Sequence, residues 1–234
     1  MSRRATSMGA IATATMLLAA PSAASAVTGA ISAPCYTHIP TVGSAPVVVN
    51  LAGGTPGAGF IVAATGPTGG VGSAGSATGT FDPAGNGSAA ITDVSPPSGS
   101  IDPIAGEPIV LSVKDFGTGA AAVDVPIGQT LVTNLAMTIA LKPRSIRAHR
   151  TVKVSGTPFA GLAMYGFITK GTNPKVLRRV SLGTGDGCGY TSAKVIVAPK
   201  SFKPGTYRLY VNPGTKLDKP KSIFRSFKIS RSLF

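Results

Sequence analysis

The sequence predicts an all-β fold, two tandem immunoglobulin-like β-sandwich domains behind an N-terminal signal peptide. Three observations predict it. The 234 residues include 30 glycines and 19 prolines set between short apolar runs, the texture of many turns joining short strands. Several runs alternate apolar and polar residues, as strands with one wet face do. Beyond residue 26, no stretch carries the 3.6-residue stripe of an amphipathic helix.

The first 26 residues have the order of a secretory signal. Arg3 and Arg4 precede an uncharged run, Met8 to Ala20, and small residues end at Ala24-Ser25-Ala26. The run falls short of the ~20 residues a spanning helix needs, and cleavage is expected after Ala26. The arginine pair also suits a twin-arginine route, although the residues after it do not complete that motif. No later stretch could span a membrane as a helix, so the expected location is extracellular, with retention at the cell surface open.

Charge divides what remains. Val27 to Leu141 holds one basic residue, Lys114, against Asp82, Asp93, Asp102, Glu107, Asp115 and Asp124, a net of −5. Lys142 to Phe234 holds 19 Lys plus Arg against Asp186 and Asp218, a net of +17; with Arg3 and Arg4 the total is the chain's +14. The expected domains are therefore 27–141, rich in Gly and Ala, and 142–234, basic, each long enough to bury a core.

In the first domain strands are expected at Val47–Ala52, Gly59–Thr65, Ala77–Phe81, Ser88–Thr92, Pro108–Val113 and Thr130–Leu141. Asn86-Gly87 reads as the positive-φ corner of a tight hairpin, and the Gly/Ala/Ser/Thr tract Thr65 to Thr80 as a long mobile loop. In the second, the candidates are Thr151–Ser155, Ala163–Lys170, Val176–Leu182, Ala193–Val197, Gly205–Val211 and Ile223–Ser230. Tyr207, Leu209 and Val211 fall on one strand face, Arg208 and Tyr210 on the other. A short pattern recurs: Val49 to Val62 (VNLAGGTPGAGFIV) and Val154 to Ile168 (VSGTPFAGLAMYGFI) both run strand, Gly-Thr-Pro turn, strand, as two copies of one unit would.

Cys35 and Cys188 are the only cysteines. In an oxidising compartment they are expected to pair, stapling one domain to the other; two separate thiols are the alternative, since sequence cannot bring their Cβ atoms together.

Residues 151–213 resemble a β-sandwich module of uncharacterised secreted proteins from high-GC Gram-positive bacteria. The likeness is carried by VSGTPFAG from Val154, by Tyr165, by VSLGTGDGCGY around Cys188, by Pro199 and by KPGTYRLYV from Lys203. It implies a fold and an export context; no catalytic residue comes with it.

Chemistry is sparse. There is no G-x-S-x-G elbow, and Gly183 to Gly187 (GTGDG) lacks the spacing of a dinucleotide or phosphate loop; it reads as a flexible loop presenting Cys188. His38 and His149 stand apart from any cluster of carboxylates. His149 lies near Arg147 and Arg150, which oppose its charged form and a metal cation. His38 is three residues from Cys35, and a Cys–His pair could activate a nucleophile, though a bridged Cys35 could not. No acids form a glycosidase pair, and Asp82 with Asn86 lacks the EF-hand spacing for calcium. No cofactor, metal site or catalytic residue is expected.

The basic half offers the one candidate surface. Lys170, Lys175, Arg178, Arg179, Arg208, Lys216, Lys219, Lys221, Arg225 and Lys228 fall in or beside strands, with Tyr190, Tyr207, Tyr210 and Phe224 among them. No motif for specific nucleic-acid recognition accompanies them. The expectation is a non-catalytic structural or binding protein whose cationic domain meets anionic cell-wall polymers or lipid headgroups. The alternative is an extracellular hydrolase with a site between the domains.

Overall fold

The computed structural model describes residues 27–39, 46–66, 75–92, 94–118, 122–140, 149–199 and 201–229. The expected signal, 1–26, and the expected boundary at 141–142 lie outside them.

The described residues form fifteen strands and three single-turn 3-10 segments. The first eight are β1 (Thr28–Ile31), β2 (Cys35–His38), β3 (Val47–Ala52), β4 (Gly59–Thr65), β5 (Gly75–Thr80), β6 (Gly87–Ile91), β7 (Glu107–Asp115) and β8 (Asp124–Asn134). They make two sheets, β1-β3-β6 and β2-β8-β7-β4-β5. The next seven are β9 (Ala136–Ile139), β10 (Arg150–Ser155), β11 (Ala163–Lys170), β12 (Val176–Thr184), β13 (Thr191–Val195), β14 (Gly205–Pro213) and β15 (Ile223–Ile229). They too make two sheets, β13-β10-β9 and β12-β11-β14-β15. Each pair of sheets encloses its own apolar cluster, so the chain is two immunoglobulin-like sandwiches. The repeated Gly-Thr-Pro pattern spans β3–β4 in the first and β10–β11 in the second, which hold the same place in the two strand orders.

Period-two burial builds both cores. Val47, Val49 and Leu51 of β3 face Phe60, Val62 and Ala64 of β4 and Ile109, Leu111 and Val113 of β7, all at most 3% exposed. In the second sandwich Val152 and Val154 meet Ile168, Leu182, Leu209 and Val211. Each such side chain contributes about 1.5–3 kcal/mol on burial. Tyr207 is inward, as its alternation predicts: its ring lies between Phe202 and Phe227 (centroids 4.9 and 5.8 Å). Its hydroxyl donates to the Lys203 carbonyl at 2.6 Å. That is the tyrosine corner of immunoglobulin sandwiches, and burial pushes its phenol pKa up.

Several expectations are corrected. The run 130–141 is two strands, not one: β8 ends at Asn134, and β9, from Ala136, pairs with β10 in the second sandwich. Leu135 joins β8 of the first sandwich to β9 of the second. Part of the expected loop 65–80 is the strand β5, paired with β4. The turn after Phe81 is no hairpin, because β5 and β6 lie in different sheets. Its positive φ (79°) is at Gly85 rather than Gly87, and Asp82 closes it by accepting from the Ala84 and Asn86 N–H groups at 2.8 Å each.

The junction is tightly bonded. Cys35 and Cys188 form a disulfide with Cα atoms 5.6 Å apart, the pairing the cysteine count suggested; the separate-thiol reading falls. Beside it the Thr37 and Thr157 hydroxyls share a 2.7 Å hydrogen bond, and the Thr157 N–H donates to Thr37 Oγ1 at 2.7 Å. The Leu135 N–H donates to the His38 carbonyl at 3.1 Å, and Ser155 Oγ donates to the Asn134 carbonyl at 2.5 Å.

Candidate functional site

The outward face of the sheet β12-β11-β14-β15 gathers aromatic rings and cations. On β14, Tyr207, Leu209 and Val211 enter the core, so Arg208, Tyr210 and Asn212 point away from it. Register then places Arg179, Phe167, Tyr210 and Phe224 in one row across all four strands. Tyr165, two residues before Phe167 on β11, shares that face. Tyr210 and Phe224 rings lie 5.4 Å apart; Phe167 and Tyr210 are buried, and Phe224 is 52% exposed.

Cations lie on these rings. The Arg179 guanidinium sits 5.3 Å from the Tyr165 centroid, Arg208 sits 4.9 Å from Phe224, and Lys219 Nζ sits 5.6 Å from Tyr210. Stacking of this kind is worth about 0.5–1 kcal/mol at exposed sites. Each cation also has an oxygen partner: Arg179 Nη1 donates to the Thr215 carbonyl at 3.1 Å, Arg208 Nη1 to the Tyr210 hydroxyl at 3.4 Å, and Lys219 Nζ to the Thr172 carbonyl at 3.3 Å. Flat, pre-positioned guanidinium groups suit phosphate and carboxylate oxygens.

One residue that sequence reasoning missed orders the loop from β14 to β15. Asn212 is 1% exposed. Its Nδ2 donates to the carbonyls of Pro213 and Lys216 at 2.7 and 3.0 Å, and its Oδ1 accepts from the Asp218 N–H and Ser222 Oγ at 3.3 and 3.1 Å. That clamp presents Lys216, Lys219 and Lys221, with Lys221 ion-paired to Asp218 at 3.6 Å.

Not every predicted cation joins this face. Lys228 does, across from Thr206. Arg178 pairs in register with the inward Ile168, next to a bulge. Arg225 pairs with the inward Leu209; it lines a separate cleft with Asp102. Lys170 ends β11 and Lys175 stands just before β12, so both sit at the turn joining those strands. Tyr207 is buried in the core, and Tyr190 belongs to the disulfide turn.

The GTGDG run is an ordered turn. Gly185 forms a bridge with Ala160, its N–H donates to the Leu162 carbonyl at 3.1 Å, and Asp186 Oδ1 accepts from the Cys188 and Tyr190 N–H groups at 2.8 and 2.9 Å. The bridge consumes the Cys35 sulfur, so the Cys35–His38 nucleophile is not available. His38 ends β2, half-buried, and His149 is exposed ahead of β10 in the other sandwich. In the first sandwich the Asp115 carboxylate is 6% exposed. Burial raises its pKa, but the Gly117 and Thr55 N–H groups, each donating at 2.8 Å, outweigh that and hold it below the usual value. No described helix is long and apolar enough to cross a membrane.

No protein-family model and no curated protein matches the chain. Among solved structures it is similar to the BSP domain of a biofilm-associated protein, at 12% identity and TM-score 0.26, over 86% of this chain and 29% of that one. It is also similar to the E. coli chaperone DraB (12%, 0.31, 86% of this chain and 98% of that one) and to the class 5 fimbriae chaperone CfaA (12%, 0.32, 85% and 98%). At such scores no residue takes a role from them.

Proposed function

We propose that this is a secreted, non-catalytic binding protein, held at the cell envelope by adhesion of its second sandwich to anionic polymers or lipid headgroups. The observation that carries the reading is the row of rings on the outward face of β12-β11-β14-β15, with the cationic groups of Arg179, Arg208 and Lys219 within 5.6 Å of aromatic ring centroids. Bound oxyanions would replace water on guanidinium edges already oriented, so little side-chain entropy is lost on binding. The +17 of residues 142–234 supplies the long-range attraction, and the −5 of the first half turns that sandwich away from the same surface.

The test is a retention assay of the whole oxidised chain on immobilised polyphosphate and on anionic vesicles. Retention at low salt should be lost as the Debye length contracts from ~10 Å at 0.1 M to ~3 Å at 1 M. Replacing Arg179, Arg208 and Lys219 together by Ala should weaken it at least about tenfold, whereas Lys114→Ala in the first sandwich should not. Binding that ignores salt, or survives the triple replacement unchanged, refutes the proposal.

A further inference from the structure

Asn86-Gly87, in the turn from β5 to β6, is the chain's single Asn-Gly pair. Asn50 and Asn134 are each followed by leucine, and Asn173 and Asn212 by proline. The distinction is chemical. A main-chain nitrogen can attack the amide carbon of the preceding asparagine and close a five-membered imide. Proline has no N–H to give up, and a leucine side chain crowds the closing ring. Gly87 has the N–H, no side chain and the freest main chain. Asp186-Gly187 shares the glycine, but there hydroxide would have to leave a carboxylate, and ammonia leaves an amide far more readily.

Asn86 is exposed, and Asp82 clamps it. The Asn86 N–H donates to Asp82 Oδ1 at 2.8 Å, and its Nδ2 donates to Oδ2 at 3.3 Å. Its carbonyl accepts from the Asp82 N–H at 2.8 Å. The same carboxylate accepts from the Ala84 N–H at 2.8 Å. Swinging the side chain back over the Gly87 nitrogen gives up the Nδ2 bond and turns the main chain against the others.

We propose that Asn86 is a self-modifying site: when the Asp82 clamp opens, it loses its amide as ammonia and becomes aspartate or isoaspartate. The Gly87 nitrogen bonds to Asn86 Cγ, the Cγ–Nδ2 bond breaks, and ammonia leaves with the proton from the Gly87 nitrogen. Water then opens the imide. Opening at Cγ leaves aspartate in an ordinary chain; opening at the main-chain carbonyl carbon leaves isoaspartate, whose backbone runs through Cβ and is one atom longer. Water is the one co-reactant.

The turn has no room for that atom. Gly87 lies against Phe60, where an added Cβ would come within 2.6 Å of the ring, and Gly85 against the Gly54 carbonyl, where one would come within 2.4 Å. Gly87 also begins β6, whose register from Leu51↔Gly87 to Val47↔Ile91 seats Ala89 and Ile91 in the core. Isoaspartate pushes the root of that strand off register. Aspartate sets a carboxylate against Asp82, where an amide now donates. The first sandwich is therefore the part that ages, and the inference is separate from adhesion through the second.

The test ages the whole oxidised chain at neutral pH in heavy-oxygen water, then digests it in ordinary water for mass spectrometry. Heavy oxygen should enter at position 86 ahead of every other asparagine, with isoaspartate among the products, and hydroxylamine should cut the aged chain between residues 86 and 87. Asp82→Ala should speed the change about tenfold, equivalent to ~1.4 kcal/mol off the barrier. Asp82→Asn keeps an acceptor for the N–H groups and should stay closer to the parent rate. Asn86→Gln, whose ring would be one atom larger, should abolish the uptake. Calorimetry of the aged chain should show the first sandwich's transition lowered. An unaltered parent chain, equal uptake at Asn50 or Asn134, or an Asp82→Ala rate no faster than the parent's would each overturn the proposal.

Discussion

Replacing Cys35 and Cys188 together by Ala should destabilise both sandwiches by comparable amounts. The two cysteines are 153 residues apart, and full loop-closure arithmetic for that separation gives ~5 kcal/mol. That figure applies only when both sandwiches unfold at once. If the second unfolds while the first stays folded, the bridge pins position 188 to a folded β2, and the closed stretch is the ~50 residues from Leu135, for which the same relation gives ~4 kcal/mol. For a domain of this size 1 kcal/mol shifts Tm by roughly 4–8 °C, so scanning calorimetry should show the second sandwich's transition falling by roughly 15–30 °C and the first's by about as much. If the first unfolds while the second stays folded, the bridge and Leu135 close the ~100 residues between them, for which the relation gives nearly ~5 kcal/mol, about as much as for the second. A double variant in which one transition falls and the other stays where it was would refute the argument, because both sandwiches close a loop through the bridge.

Three further outcomes follow from particular groups. Tyr207→Phe should cost about 1 kcal/mol through the lost bond to Lys203. The folded phenol ionises above its ordinary 10.0, so the native chain keeps a proton the unfolded chain gives up; stability should fall as pH rises beyond about 10, and urea titrations of the variant should lack that slope. Asp115→Asn should flatten the acid limb instead: the native carboxyl titrates below 3.8, so its contribution is present above that value and lost as pH falls through the lower folded one, readable by acid unfolding. Gly106→Ala would put a Cβ 2.3 Å from Cys188 Sγ and 2.8 Å from Leu131 Cβ; overpacking of this kind costs ~1–3 kcal/mol, and thermal melts of the oxidised chain should show it.

Strands announced themselves in the sequence where apolar residues alternate between Gly or Pro breaks: β3, β4 and β11 have the expected bounds. The strands that escaped are those with little apolar content of their own. Thr28–Ile31 and Cys35–His38 are sheet edges, and the start of β8 carries Pro126 and Gly128, which weaken any strand signal. The split at Leu135 was hidden because both sides of it are apolar and only tertiary pairing separates them. For the site, composition disclosed the charge and not its arrangement. Arg178 and Arg179 are neighbours that pair with adjacent residues of opposite orientation on β11, an outcome fixed by register and a bulge. Asn212 gave no signal, since an asparagine that clamps a loop looks the same in sequence as one facing water.

The bridge also determines how the chain would carry tension. A pull along the backbone from the first sandwich toward the end of the second enters through β1, crosses at Cys35 to Cys188, and leaves through β13, β14 and β15. Everything from β3 to β12 hangs outside the line of force. At roughly 3.4 Å per extended residue, the 153 residues between the cysteines amount to about 500 Å of chain that force cannot draw out while the sulfurs are joined. A reductant would release that length, converting a short, stiff tether between two anchored surfaces into a long extensible one.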